Sequence, residues 1–276
     1  MRRLLRSARS RADFVGKARQ CAASPWRWGV SRRERWVGDD VVDLSVLAEG
    51  KERDARFTCR VLAAEERALL AVSAEPGLLL WLLWAAKEAA YKVGRKCLGE
   101  FVREGRAAAA RELVFAHAGF VVRPDLGPAG RVAPWGQGSV VHERFRAHFR
   151  WQLGPGYLHV VAVDGSLDAA IGGVKVLTCE RASGTELSHA ARVQALELLV
   201  GLGLDGCTIT APDLSPMPRP PRVRRAGRYL ATYDVSLSHD GRFASAAIIE
   251  RRVNGSASVG RLDRVPLEGV DARRLA

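Results

Sequence analysis

The feature that most constrains this chain is an uninterrupted helix-forming run, Gly77 to Lys96, with the sequence GLLLWLLWAAKEAAYKVGRK. Within it, W-x-x-K-E-A-x-x-K spans Trp84 to Lys92. Trp84, Glu88 and Lys92 fall at i, i+4 and i+8, which lays an aromatic ring, a carboxylate and an ammonium along one helical stripe. A carboxylate flanked by Lys87 and Lys92 and backed by an apolar helix suits the handling of a metal-bound phosphate. The same Glu–Lys spacing is also ordinary surface support for a helix. A second acidic segment some fifty residues upstream separates the two readings.

That segment is Val37-Gly38-Asp39-Asp40-Val41-Val42-Asp43, inside a predicted strand from Arg35 to Ser45. In a strand Gly38, Asp40 and Val42 share one face, and Asp39, Val41 and Asp43 share the other. Gly38 removes bulk beside Asp40, so that another backbone or a phosphate can come close. An aspartate in an otherwise apolar strand is costly unless it is exposed, hydrogen-bonded or metal-bound; an edge-strand acid cluster facing water is the plainer alternative. A third segment, Val235-Ser236-Leu237-Ser238-His239-Asp240-Gly241, reads as a strand running into a tight turn. There Ser238 and His239 can offer a hydroxyl and an imidazole to an anion.

Length and composition are compatible with this chemistry. At 276 residues and 47% hydrophobic content, the chain can bury a full core as one large domain or two small lobes. The net charge of +13 is concentrated at the start: residues 1–35 hold eleven Lys or Arg against Asp13 and Glu34, leaving +4 for the remaining 241 residues. A whole-body nucleic-acid footprint is therefore not expected. The basic tail reads as a transit peptide, a disordered arm or an over-extended gene start, the last two being favoured. The longest apolar run, Gly77 to Ala86, is too short to span a bilayer. Five scattered cysteines with no C-x-x-C point to neither a disulfide framework nor a zinc site. A cytoplasmic location without membrane partners is expected.

The remaining pattern alternates helices and strands. A helix is predicted over Glu52 to Val72, a strand over Leu113 to Arg123 and a loop over Pro124 to Gly138. Strands follow at Arg144 to Leu153 and Tyr157 to Val163, joined by a Gly154-Pro155-Gly156 turn. After a junction at Asp164 to Ala169 come a strand (Ala170 to Leu177), a helix (Leu187 to Leu202), a strand (Cys207 to Ala211) and a Pro-rich loop (Pro212 to Pro221). Strands at Tyr229 to Leu237 and Phe243 to Arg251 close the pattern. Gly156 to Val163 weakly echoes Gly241 to Ile248, as a duplicated lobe would. The expected domains are a basic tail (1–35), a lobe with the G-x-D and K-E-A motifs (36–166), a second lobe (167–255) and a C-terminal tail (256–276).

Taken together, the G-x-D strand, the K-E-A helix 48 residues later and the S-x-S-H strand end resemble the 4′-phosphopantetheinyl transferase superfamily. Arg56-Phe57 through Glu65-Glu66 is similar to its R-F-to-E-E helix. The resemblance implies an α+β fold in which two similar α+β lobes sit in a pseudo-two-fold arrangement with the active site at their interface. Two-lobed members place the S-x-S-H lobe first; here the order is reversed, as in a circular permutation with its new connection near Asp164 to Ala169. The short, trimeric holo-acyl-carrier-protein synthases share the present order. Because 147 residues separate Lys92 from His239, a monomeric, permuted pseudo-dimer is expected.

The implied activity is Mg2+-dependent transfer of phosphopantetheine from coenzyme A to a serine of an acyl or peptidyl carrier protein, releasing adenosine 3′,5′-bisphosphate. The carrier would belong to fatty-acid, polyketide or peptide synthesis. The implied metal ligands are Asp40 and Glu88, with Glu88 and Lys92 catalytic and Lys87, Lys92, Arg219, Ser238 and His239 binding coenzyme A. Many members carry a third acid where Val42 stands, and Asp43 faces the other way. Arg181 and Arg192 are candidates for the 3′-phosphate. The rival readings are a non-catalytic member that binds coenzyme A or a carrier protein, a basic nucleic-acid-associated protein and a metal-dependent phosphate-ester hydrolase.

Overall fold

Strand β1 (Val37–Asp43) lies at the edge of a five-stranded antiparallel sheet whose order is β1-β5-β4-β3-β2. The other members are β2 (Val121–Pro124), β3 (Trp135–His142), β4 (Phe145–Gly154) and β5 (Tyr157–Val163). The coordinates are those of a computed structural model and describe residues 35–45, 50–103, 119–143, 145–177, 183–210 and 220–251. Residues 1–34 of the expected N-terminal tail and the C-terminal tail (256–276) lie outside these residues, as do Arg181 and Arg219.

The predicted long helix is α3 (Pro76–Arg103). Its apolar face, including Leu79, Leu80, Leu82, Leu83, Ala86 and Val93, is fully buried against Val42, Val140, Phe149, Leu158 and Val160 of the sheet. The helix expected over Glu52 to Val72 is two. Asp54 accepts from the Arg56 and Phe57 N–H groups to start α1 (Ala55–Val61), and Leu62 turns to an extended conformation before α2 (Ala64–Val72). The break follows from tertiary contacts: Glu66 caps the Ala63 N–H and draws α2 toward α3.

The segment read as a loop from Pro124 to Gly138 contains the start of β3, a correction with a steric origin. A β-carbon at Gly136 would overlap the Trp151 ring, and one at Gly138 would overlap Phe149 and the Arg123 carbonyl oxygen. The glycines there let aromatic rings lie across the strand rather than marking a turn.

A 3-10 turn at Leu167–Ala169 leads into a second antiparallel sheet, β10-β11-β6, built from β6 (Ala170–Val176), β10 (Tyr233–Asp240) and β11 (Phe243–Glu250). Helix α4 (Gly184–Gly201) starts at a Ser183–Glu186 capping box and packs Ala195 and Leu199 on Val235, Ala246 and Ile248. A small sheet of β7 (Cys207–Ile209), β8 (Val223–Arg225) and β9 (Arg228–Tyr229) occupies the stretch expected to be strand, Pro-rich loop and strand. The strand predicted from Tyr229 therefore starts at Tyr233 and runs through to Asp240.

The first two sheets share one connectivity. In each, the first strand pairs with the last, the last pairs with its predecessor, and a helix follows the first strand. The echo between the β5 and β11 sequences falls on corresponding strands, but one residue out. Gly154 pairs with Tyr157 and Asp240 with Phe243, so Tyr157 corresponds to Phe243 rather than to Arg242. Val37, Val161 and Val163 of the first sheet pack against Ala170, Ala247 and Ile249 of the second, so the two share an apolar interface.

Candidate active site at the seam between β1 and β10

The free edge of β1 faces β10, and side chains make the connection. Four polar residues at alternate positions of β10 reach across. Asp234 Oδ2 accepts from the Val37 N–H at 2.9 Å, and Ser236 Oγ accepts from the Asp39 N–H at 3.0 Å. Ser238 Oγ donates to Asp40 Oδ1 at 2.8 Å, and Asp240 Oδ2 accepts from the Asp43 N–H at 2.9 Å. The sequence offset stays at 197 or 198 residues along the seam, so the two strands run side by side in parallel. An edge strand's unpaired amides are thus satisfied by short side chains rather than by a ladder.

Two lysines of α3, one turn apart, close the same seam. Lys96 Nζ donates to the Val37 carbonyl at 2.7 Å, the Val235 carbonyl at 2.8 Å and Asp234 Oδ2 at 2.8 Å. Lys92 Nζ repeats the pattern two residues along each strand. It donates to the Asp39 carbonyl at 2.5 Å, the Leu237 carbonyl at 3.4 Å and Asp40 Oδ1 at 3.3 Å. Gly38 makes this possible, since a β-carbon there would run into the Ala89 carbonyl oxygen. The close approach expected at Gly38 is thus that of the helix backbone.

The two faces of β1 hold their acids differently. Asp39, on the face toward the second sheet, is fully buried and accepts from Ser245 Oγ at 2.6 Å, with His159 Nε2 at 3.6 Å. Burial would raise its pKa, but the contacts with His159, Lys92 and Ser245 outweigh it and bring it down to about 2. Asp43 spends Oδ1 on the N–H and hydroxyl of Ser45 and Oδ2 on the Arg242 N–H, which makes it a structural residue of the turns. A β-carbon at Gly241, where φ is +53°, would strike Asp43, so the tight turn after His239 packs directly on this carboxylate.

Asp40 sits on the opposite face, beside α3. Burial pushes its pKa up to about 6; Lys92 and Ser238 pull against this, while the charges of Glu88 and Asp39 add to it. Glu88 is half-buried on α3 and close enough to raise both Asp40 and Lys92. The Lys92 pKa is raised despite burial, by Asp40 first and then by Asp39 and Glu88. The structure therefore brings Asp40, Glu88, Lys92 and Ser238 together. Val42, at the place of the third acid, is buried in the core. Among the described residues, no group of three or more His, Cys, Asp or Glu is arranged to hold a metal ion.

His239 is exposed at the end of β10, with Nε2 3.5 Å from Ser188 Oγ of α4. Its partial burial and the Lys92 charge hold its pKa below the usual histidine range. Arg192 donates to the Ser188 carbonyl.

Lys87, expected from the resemblance to bind coenzyme A, is instead turned into the core. It is 1% exposed and donates to the Val61 carbonyl at 2.7 Å and to Glu66 Oε2 at 2.5 Å. Glu66 Oε1 also accepts from the Val122 N–H at 2.7 Å. Burial raises the Glu66 pKa and lowers that of Lys87, while each partner's charge opposes the shift of the other. This pair ties α1, α2 and β2 to α3 and fixes the rotation that turns Glu88 toward Asp40. Trp84 stacks on Phe57 at 5.8 Å and 23°, anchoring the same helix to α1.

Lys96, Asp234 and the structural part played by Glu66 were missed in the sequence. A signal existed for the first two: Lys96 continues the stripe of Lys92, and Asp234, Ser236, Ser238 and Asp240 recur with period two. Among the described residues, no helix is long and apolar enough to cross a membrane.

The family model of the 4′-phosphopantetheinyl transferase superfamily matches residues 37–110. No curated protein gives a significant match to the chain. Among solved structures, the holo-[acyl-carrier-protein] synthase (AcpS) of Thermotoga maritima is similar at 17% identity and a TM-score of 0.31, over 54% of this chain and 71% of that one. The match over residues 37–110 begins at β1 and takes in Asp40, Glu88 and Lys92. Over this part, the chain is similar to the 4′-phosphopantetheinyl transferase superfamily.

Proposed function

We propose that this protein moves the phosphopantetheine arm of coenzyme A onto a serine hydroxyl of a carrier protein. The observation that carries the reading is the meeting of Asp40 and Glu88 across β1 and α3, within the family-matched segment and beside Lys92 and Ser238. The donor set suits Mg2+, a hard cation that takes a few carboxylate oxygens together with phosphate and water. Burial first pushes the Asp40 pKa up to about 6, against the pull of Lys92 and Ser238. Asp40 and Glu88 would hold the ion, which when bound neutralises charge developing on the leaving bisphosphate.

The chain's own groups then divide the work. The acceptor serine oxygen attacks the phosphorus next to the pantetheine, and the P–O bond to adenosine 3′,5′-bisphosphate breaks. The serine proton passes to the Glu88 carboxylate, which acts as general base. Lys92 acts chiefly through Asp40: its N–H groups are directed at Asp39, Asp40 and Leu237, and its charge keeps Asp40 ionisable. Ser238 orients the same Asp40 oxygen, so we assign it a positioning part rather than direct contact with phosphate. His239, exposed at the strand end, is the residue assigned to the coenzyme A phosphates. In this scheme residues 36–166 and 167–255 are the two lobes in permuted order, and both halves of the site come from one chain.

The test is incubation with coenzyme A, Mg2+ and an apo carrier protein, read by intact mass. A phosphopantetheine adduct on the carrier is the expected result; no adduct on any apo carrier at high enzyme concentration would overturn the reading.

A further inference from the structure

The seam contains a second lysine–aspartate pair that no step of the reaction uses. Lys96 and Asp234 are each about 5% exposed, yet together they collect four of the bonds between β1, β10 and α3. Asp234 Oδ2 receives both the Val37 N–H and the Lys96 ammonium, and Lys96 also holds the carbonyls of Val37 and Val235. A side-chain seam has no ladder to fix its register, so a one-residue slip would need only new partners for short serine and aspartate side chains. A three-donor ammonium clamped on both backbones does not allow that slip. Breaking it strands a charge in the interior.

We propose that Lys96 and Asp234 are positioning residues that set the register of β10 against β1, and thereby the placement of Ser238 and His239 relative to Asp40. The geometry supports an action at a distance along one rigid strand. From Asp234 to Ser238 is four residues of continuous β10, paired throughout with β11, so a displacement at Asp234 is carried to the strand end. On the other side, α3 carries Lys96, Lys92 and Glu88 at i+8, i+4 and i, so the clamp also fixes the helix that presents Glu88. The pair lies outside W-x-x-K-E-A-x-x-K and S-x-S-H. The inference about the seam stands on contacts alone; its consequence for coenzyme A rests on the proposed function.

The test is a Lys96→Met/Asp234→Asn double variant, which removes both charges of the pair together and keeps an acceptor for the Val37 N–H. Hydrogen exchange gives the readout that needs no ligand. The amides of Asp39 and Asp43, bonded to Ser236 and Asp240 and not to Asp234, are expected to exchange roughly tenfold faster, while those of α3 and β5 stay protected. Unchanged protection of Asp39 and Asp43 overturns the proposal. The second readout is coenzyme A affinity by calorimetry with Mg2+ present. The double variant is expected to weaken binding roughly fivefold in the parent and by less than about twofold in a His239→Ala background. Equal losses in both backgrounds indicate a merely structural part and overturn the positioning claim. A parent protein that binds no coenzyme A overturns the proposed function instead, and hydrogen exchange then decides the seam alone. Should the double variant fail to fold, Asp234→Asn by itself carries both measurements with the same expected directions.

Discussion

Lys92 and Lys96 perform one act at two ends of a seam, and they differ in what surrounds it. Each ammonium bridges a β1 carbonyl, a β10 carbonyl and an aspartate. At the Lys96 end the partners are 4% and 6% exposed; at the Lys92 end they are 27% and 13% exposed, and Glu88 stands beside them. One end is sealed and charge-matched. The other is partly open, with more carboxylate than the lysine neutralises. The difference teaches where chemistry can sit in a fold that uses the same device twice: at the copy left accessible and short of positive charge.

The largest effect is expected at the sealed end. Lys96→Ala leaves Asp234 buried without its cation, and a loss of about 3–5 kcal/mol is expected in urea unfolding. Lys92→Ala, at the open end where water can replace lost bonds, should cost only about 1–2 kcal/mol in the same measurement. Equal losses would remove the distinction between the two ends.

A pH series sharpens it further. The folded pKa of Asp40, about 6, lies above its ordinary value of 3.8. Its protonated form therefore contributes stability that is fully present below pH 3.8 and lost as pH rises through 6. Asp39, with a folded value of about 2, has the opposite sign: its stabilisation is present above 3.8 and lost as pH falls toward 2. Thermal melts between pH 4 and 7 should show a decline on raising pH that Asp40→Asn reduces. Glu66, Asp164 and Asp234, also raised by burial, contribute the rest, and Mg2+ should bind more tightly on passing above pH 6. The smallest effect is expected for His239→Ala. Exposed and with one long contact, it should melt within about 0.5 kcal/mol of the parent, while KM for coenzyme A rises roughly fivefold, about 1 kcal/mol of lost phosphate binding.

The sequence made the open end legible and the sealed end not. Gly38, Asp40, Glu88, Lys92 and Ser238 stand in short motifs whose strand and helix periods place them on particular faces, and the structure brings them together. Lys96 and Asp234 are 138 residues apart and belong to no motif, so only packing of the two sheets unites them. Lys87 misled for a related reason. Its neighbour Glu88 faces the site, but 100° of helical rotation per residue points Lys87 into the core, toward Glu66. Strand β3 was hidden because its glycines serve Trp151 and Phe149 across the sheet, a purpose invisible to local turn chemistry. The break between α1 and α2 was likewise set by a side chain, Glu66, whose partners lie in α3 and β2.

If the open end of the seam carries out the transfer, the Glu88→Gln variant should lose it. The rate of phosphopantetheine addition to an apo carrier protein, with coenzyme A and Mg2+ and read by intact mass, should fall at least roughly 100-fold. The melting temperature should stay close to that of the parent. A variant that transfers at the parent's rate would contradict the account, because neither the metal ligand nor the base would then be where we have put it.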